Sequence, residues 1–209
     1  MFAGDPMLAH YVADTVSWAA VGARTVASQP HRHLASWLPM PVGMKNSVSG
    51  RLDTAVDAIR AAGLPHAFAG VAPDGCLTTL RRAGNPDAHL VLRGGSTPNY
   101  DAPSVARALD ALASAALPAR VVVDASRGNS GKDHNRQPVV VADLADQVAD
   151  GNEALVVVMI ESYLAGGNQS PTASPLRPDV SITDACPGRD RTTPLPTTLA
   201  QAARRRWTR

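Results

Sequence analysis

Short apolar runs that close on a charged residue recur along this chain, and a stretch with helical spacing separates each from the next. Val121–Val123 closes on Asp124, His89–Leu92 on Arg93, Pro41–Met44 on Lys45, and Ala154–Ile160 on Glu161. Runs of this length and content suit strands buried on both faces, which is the habit of parallel sheets. Parallel strands need crossover connections, and the intervening helical stretches supply them, so the rhythm reads as a series of βαβ units.

Residue by residue, helical spacing covers about Pro6–Ala20, with Leu8, Tyr11, Val12, Val16 and Ala19 on one face and Asp5 as cap. A strand over Val21–Arg24 follows, then a helix over about His31–Leu38 and a strand over Pro41–Lys45. Arg51–Ala62 reads as a helix stopped by Gly63 and Pro65. Ala67–Leu80 reads as an inserted hairpin turned at Pro73, Asp74 and Gly75. Strands over His89–Arg93, Val121–Asp124 and Ala154–Glu161 alternate with helices over Ala102–Ala116 and Gln137–Ala149. Residues 165–180, rich in Gly, Pro and Ser, form a loop, and Thr197–Arg206 is a last helix.

Composition narrows the function classes. A length of 209 residues suits one domain, 1–209, and aromatics at 4% leave the core to Ala, Val and Leu. A formal net charge of +2 gives no electrostatic footprint for nucleic acid. No run of 18 apolar residues is present to span a membrane, and no signal-peptide pattern opens the chain, so a cytoplasmic protein is expected. Cys76 and Cys186 stand far apart and form neither a disulfide framework nor a zinc ribbon.

The charged residues fall where a site belongs. Arg24, Lys45, Arg93, Asp124, Glu161 and Asp184 each lie at or just past the C-terminal end of a strand or an equivalent segment. In a (β/α)₈ barrel that end is the face on which sites are assembled. No glycine-rich dinucleotide fingerprint supports the doubly wound alternative. Three cations on one rim suit a small phosphorylated carboxylate, and two acids suit an oxygen-ligated divalent metal. Taken singly, Arg93 reads as readily as a solvated strand end, and each acid as a helix cap. His31 and His33 alternate like a metal pair, His134 reads as a solvated loop residue, and Arg204–Arg206 before Trp207 as a solvated helix end that suits the helix dipole.

In order along the chain stand the segments GART, SQPHR, PVGMKN, GNPDAH, LRGGSTPNY, NSGK and ESYLAGGNQ, followed by SITDAC. This ordered set resembles the type I DAHP synthases. The resemblance implies a (β/α)₈ barrel, here incomplete, lacking the first two strand–helix units and carrying the inserted hairpin. It also implies the condensation of phosphoenolpyruvate with erythrose 4-phosphate to DAHP and phosphate, the entry step of the shikimate pathway. By motif match, Arg24, Lys45 and Arg93 would surround phosphoenolpyruvate, with Lys45 the catalytic contact. Glu161 and Asp184 would ligate a divalent metal (Mn, Fe, Co or Zn), which polarises the sugar aldehyde.

Three departures accompany the match. The GPCSIHD-like and KPRT-like motifs, which supply a cysteine metal ligand and the erythrose-phosphate contacts, have no counterpart, and MFAGDP stands where the family has a GEFLDP-like segment. Trp37 replaces a glycine. Most tellingly, the family's DxSHxNS motif reads here Asp124-Ala125-Ser126-Arg127-Gly128-Asn129-Ser130, so Arg127 stands in place of the histidine metal ligand. A guanidinium about 4 Å from a dication would repel it by up to roughly 8 kcal/mol at an effective dielectric of about 20. Cys186 is shared by the family without serving as the missing thiolate. The expectations are therefore phosphorylated small-molecule ligands, no nucleic acid, no membrane, and weak or absent metal binding. Three readings stand side by side: a DAHP synthase, inactive alone, whose missing part is encoded upstream of Met1 or supplied in trans; a non-catalytic paralogue that binds or regulates a full-length DAHP synthase; and a product without selected role. Unpaired strand edges would favour self-association.

Overall fold

A computed structural model describes residues 13–72 and 74–208. The chain divides into two compact units, Met1–Val91 with Asp110–Ala119, and Leu92–Leu109 with Arg120–Arg209. In the first unit, strand β1 (Ala19–Val21) is followed by helix α1 (Gln29–Trp37), β2 (Val42–Lys45), helix α2 (Asp53–Gly63), the hairpin β3 (His66–Val71) and β4 (Leu77–Arg82), and β5 (His89–Leu92). Strand β2 pairs in parallel with β1 through Ala19↔Val42 and with β5 through Met44↔Leu90. Val42, Met44, Leu90 and Val91 are almost fully buried, as an apolar strand with both faces covered must be. Helix α1 opens with Pro at its first turn, where a missing N–H costs nothing, and packs against α2.

In the second unit, β6 (Val121–Asp124) pairs in parallel with β7 (Leu155–Met159). Around them come α4 (Arg127–Ser130), α5 (Gln137–Ala149), α6 (Arg189–Thr192) and α7 (Pro194–Trp207), with α5 packed on α7. The helix between β5 and β6, α3 (Ala102–Ser114), passes from one unit to the other. The architecture is α/β with parallel strands, and the βαβ reading of the apolar runs holds, but β7, expected to be buried on both faces, is buried only at Leu155, with Val156 and Val157 exposed. The hairpin is also as expected: β3 and β4 are antiparallel from His66↔Arg82 to Val71↔Leu77, and Gly75 takes φ 84° in its turn.

Three details differ from the sequence reading. The expected first helix does not reach Ala20, because a 3₁₀ turn at Ala13–Thr15 gives way to β1 at Ala19–Val21; Asp5, Leu8 and the helix start lie outside the described residues, as does Pro73 of the hairpin turn. The strand expected over Val21–Arg24 begins earlier, and Arg24 falls in the turn behind it. Segment 180–184, counted with the strand ends in the sequence, is no strand: it meets residues 168–169 through the isolated bridge Asn168↔Ser181 and separate hydrogen bonds, Asn168 Nδ2 to the Thr183 carbonyl and Gln169 Nε2 to the Val180 carbonyl. Gly, Pro and Ser around it favour turns over a continuous ladder.

The GNPDAH motif explains itself as a brace. Buried Asn85 donates from Nδ2 to the carbonyls of Ala35, Leu38 and Met40 at 2.9–3.2 Å, closing the C-terminus of α1 onto the start of β2. Trp18 donates its indole N–H to His89 Nε2 at 3.0 Å, so His89 carries its proton on Nδ1 and donates to the Asp87 carbonyl at 2.8 Å. Gly43 lies beneath that indole, where a Cβ would meet Val91 Cγ2 at 2.5 Å and Trp18 Cζ2 at 2.8 Å. Trp37, the residue in a glycine's place, is half-buried, with the Arg82 guanidinium 5.1 Å from its ring centroid. Asn85→Ala removes three buried acceptors' donor at once. We expect it to lower unfolding free energy by about 2 kcal/mol, read by urea denaturation. A loss below about 0.5 kcal/mol would show that the Asn85 amide does not brace α1 to β2.

Candidate functional site

In the second unit the loops that follow β5 and β6 touch backbone to backbone. Gly128 N–H donates to the Arg93 carbonyl at 3.1 Å, and a Cβ on Gly128 would come within 2.6–2.7 Å of main-chain atoms of Gly94 and Gly95. Gly94 has φ 69°, and a Cβ there would meet Asn129 N at 2.5 Å. Only glycine fits either position. Two asparagines lock the crossing. Asn129 Nδ2 donates to the carbonyls of Leu92 and Asp124, and its Oδ1 accepts from Asn99 N–H at 2.8 Å. Asn99 Oδ1 in turn accepts from Gly94 N–H at 2.7 Å. The motifs LRGGSTPNY and NSGK are thus two halves of one structure. Buried Asp124 accepts from Ser126 N–H and Oγ–H, so this acid shapes the turn into α4.

Arg127 opens α4 with φ 55°, a left-handed conformation that costs a non-glycine residue about 1 kcal/mol. From there its guanidinium reaches two acids. Nη2 donates to Glu161 Oε1 at 3.1 Å, and Nη1 pairs with Asp184 Oδ2. Glu161, two residues past β7, is held at its backbone by Gln137, whose Nε2 donates to its carbonyl and whose Oε1 accepts its N–H. Asp184 belongs to the segment tied down by Asn168 Nδ2, which donates to the Thr183 carbonyl at 2.9 Å. Ser126, Arg127, Lys132, His134, Glu161 and Asp184 line one crevice of about 10 Å³, room for about one water. All three ion-pair partners are part-exposed, so solvent screens the pairs.

Of the residues singled out in the sequence, Glu161, Asp184 and Arg127 come together in the second unit, where Arg93 also stands, one residue past β5 and beside the glycine crossing. In the first unit Lys45 is the last residue of β2 and half-buried, and Arg24 is exposed in the turn after β1. Cys186 lies close to the acids and donates to the Asp184 carbonyl at 3.4 Å; burial first, then the nearby Glu161 carboxylate, push its thiol up from the usual value. A thiol so placed stays protonated at neutral pH and is a poor ligand. His33 packs against His66 with the rings tilted at 49° and their centroids 4.7 Å apart, while His31 faces Ser28 Oγ. Among the described residues no group of three or more His, Cys, Asp or Glu is gathered about a possible metal position. No described helix is long and apolar enough to cross a membrane.

The sequence gives no role to Gln137 or Lys132 and leaves His134 as a solvated loop residue, yet all three line the crevice. Lys132 lies in the NSGK motif, which marks it without saying what it faces. The Gln137–Glu161 contact spans 24 positions that no local pattern connects.

Comparison with known proteins identifies relatives of this chain. The family model described as DAHP synthetase I family matches residues 3–196. The Phe-sensitive phospho-2-dehydro-3-deoxyheptonate aldolase of Escherichia coli K12 is 46% identical over 97% of this chain and 58% of its own length. The phospho-2-dehydro-3-deoxyheptonate aldolase of Corynebacterium glutamicum is 45% identical over 97% and 57% respectively. The solved structure of the phospho-2-dehydro-3-deoxyheptonate aldolase of Francisella tularensis superposes with a TM-score of 0.90 at 39% identity, over 95% of this chain and 58% of that one. The chain therefore spans a little over half the length of these relatives. With ordered motifs, parallel strands and a match over most of its length, the chain belongs to the DAHP synthetase I family.

Proposed function

We propose that this chain recognises phosphoenolpyruvate-type anions through Arg24, Lys45 and Arg93, and that by itself it does not condense phosphoenolpyruvate with erythrose 4-phosphate. The reading takes the fold as part of a (β/α)₈ barrel in a cytoplasmic protein of the aromatic-biosynthesis pathway, with Lys45 the residue closest to the chemistry. Support for the binding half comes from position. Lys45 ends β2, Arg93 follows β5, and Arg24 lies in the turn after β1, at the C-terminal ends of parallel strands. Guanidinium and ammonium groups there match a carboxylate and a phosphate by charge and hydrogen-bond geometry.

The observation that carries the other half is the Arg127 guanidinium paired with both Glu161 and Asp184. A Lewis-acid metal would need those oxygens, and two carboxylates already engaged by a cation do not fit one. We accordingly derive no step through a metal.

A second reading, a non-catalytic paralogue that self-associates or binds a full-length synthase, draws on uncovered apolar surface. Val156 and Val157 in β7 are each 49% exposed, Val156 being the extra residue where the pairing with β6 shifts from Val121↔Leu155 to Val122↔Val157, and Leu164 and Ile182 are exposed as well. Surface of that kind is what association buries.

With both substrates and manganese at saturation, no phosphate release above background is expected; steady release dependent on both substrates would overturn the inactivity. Titration calorimetry with phosphoenolpyruvate should give saturable heat that Arg93→Ala weakens at least about tenfold, the worth of one charge-assisted contact; equal heats would remove Arg93 from the site. Sedimentation should show mass rising with protein concentration. A monodisperse monomer would argue against the second reading.

A further inference from the structure

We infer that Arg127 is this chain's resident cation: its guanidinium lies between Glu161 and Asp184 and closes that carboxylate pair to divalent ions, and one substitution is enough to open it. This deepens the inactivity reading above and rests on it only in taking Glu161 and Asp184 as the acids that matter.

The closure is built from fixed parts. Two different nitrogens of one planar group are used, Nη2 for Glu161 Oε1 and Nη1 for Asp184 Oδ2, so the guanidinium spans the gap rather than touching one side of it. Its root cannot retreat. Arg127 enters α4 with φ 55°, the next residue is pressed against Gly94 and Gly95, and Gly131 N–H closes α4 onto the carbonyl of Gly128. The acids are held as well, Glu161 by the two-point contact with Gln137 and Asp184 by the bridged segment around Asn168 and Thr183. The crevice they share beside the guanidinium is about 10 Å³, about one water. Lys132 lines the same crevice, so two cations face two carboxylates, and no net negative charge remains to draw in a divalent ion.

Shortening the side chain and removing its charge should reverse this. Arg127→His leaves two oxygen ligands and a neutral imidazole at neutral pH, a donor set suited to manganese and its first-row neighbours. Arg127→Met removes the charge while keeping most of the length, and Arg127→Lys keeps the charge.

The probe is Mn²⁺ alone, titrated by calorimetry and by the loss of its free-ion electron paramagnetic resonance signal, with no phosphorylated substrate present. The wild-type chain and Arg127→Lys should show no saturable binding up to millimolar Mn²⁺. Arg127→His should bind at least about 100-fold more tightly, since a unit charge is lifted from beside a dication. Adding Glu161→Gln to Arg127→His should abolish the gain. Saturable Mn²⁺ binding by the wild-type chain, or a folded Arg127→His chain that binds no better, overturns the inference. If Arg127→His does not fold, Arg127→Met decides by the same comparison. Because phosphoenolpyruvate is absent, a failure of anion recognition leaves this outcome untouched, and the converse also holds.

Discussion

Where the loop after β5 meets the loop after β6, two backbones pass at a distance that no side chain permits. Gly94 and Gly128 face main-chain atoms at the position of their missing Cβ, and the single bond from Gly128 N–H to the Arg93 carbonyl fastens the crossing. Asn129 reads the carbonyls at the ends of both strands, so the crossing is referenced to the strand ends and not to solvent. The placement of Arg93 and Arg127 follows from that contact. It fixes where Arg93 leaves its strand and where Arg127 enters α4, and therefore which way a long cationic side chain can point.

Given that root, the rest of the cluster is a matter of short-range electrostatics. Glu161 and Asp184 are anchored through their own neighbours, Gln137 in one case and the bridged segment 167–186 in the other. Two carboxylates held near each other repel unless a cation intervenes. In this chain the cation is covalent. A guanidinium offers two parallel donors to two acceptors and, being part of the chain, cannot leave the site. The pairs are part-exposed, so their contribution to stability is modest; their consequence is occupancy.

Much of this is legible in the sequence. The runs around Val121–Asp124 and His89–Leu92 announce buried parallel strands because an apolar run closed on both faces has few other homes. The glycine, asparagine and arginine positions of LRGGSTPNY and NSGK are visible as motifs, and Arg127 as the departure within one of them. Helical spacing carries the first helix too far, to Ala20, because the spacing of apolar residues does not show where a chain turns into a strand. The roles of Gln137, Lys132 and His134 are not legible, since each depends on a neighbour far along the chain.

What the sequence by itself determined was the alternation of strands and helices, the family, and the identity of the residues at the strand ends. Period, turn chemistry and motif order are local properties, and a local reading reaches them. What only the tertiary structure decided was the company those residues keep. That Arg127 lies between Glu161 and Asp184, and that Cys186 is buried beside them as a thiol, depends on loops far apart along the chain, Arg127 and Glu161 being 34 positions apart, brought within a few ångströms. The charge a side chain faces across space is set by packing, and packing is not written in the spacing of any one segment.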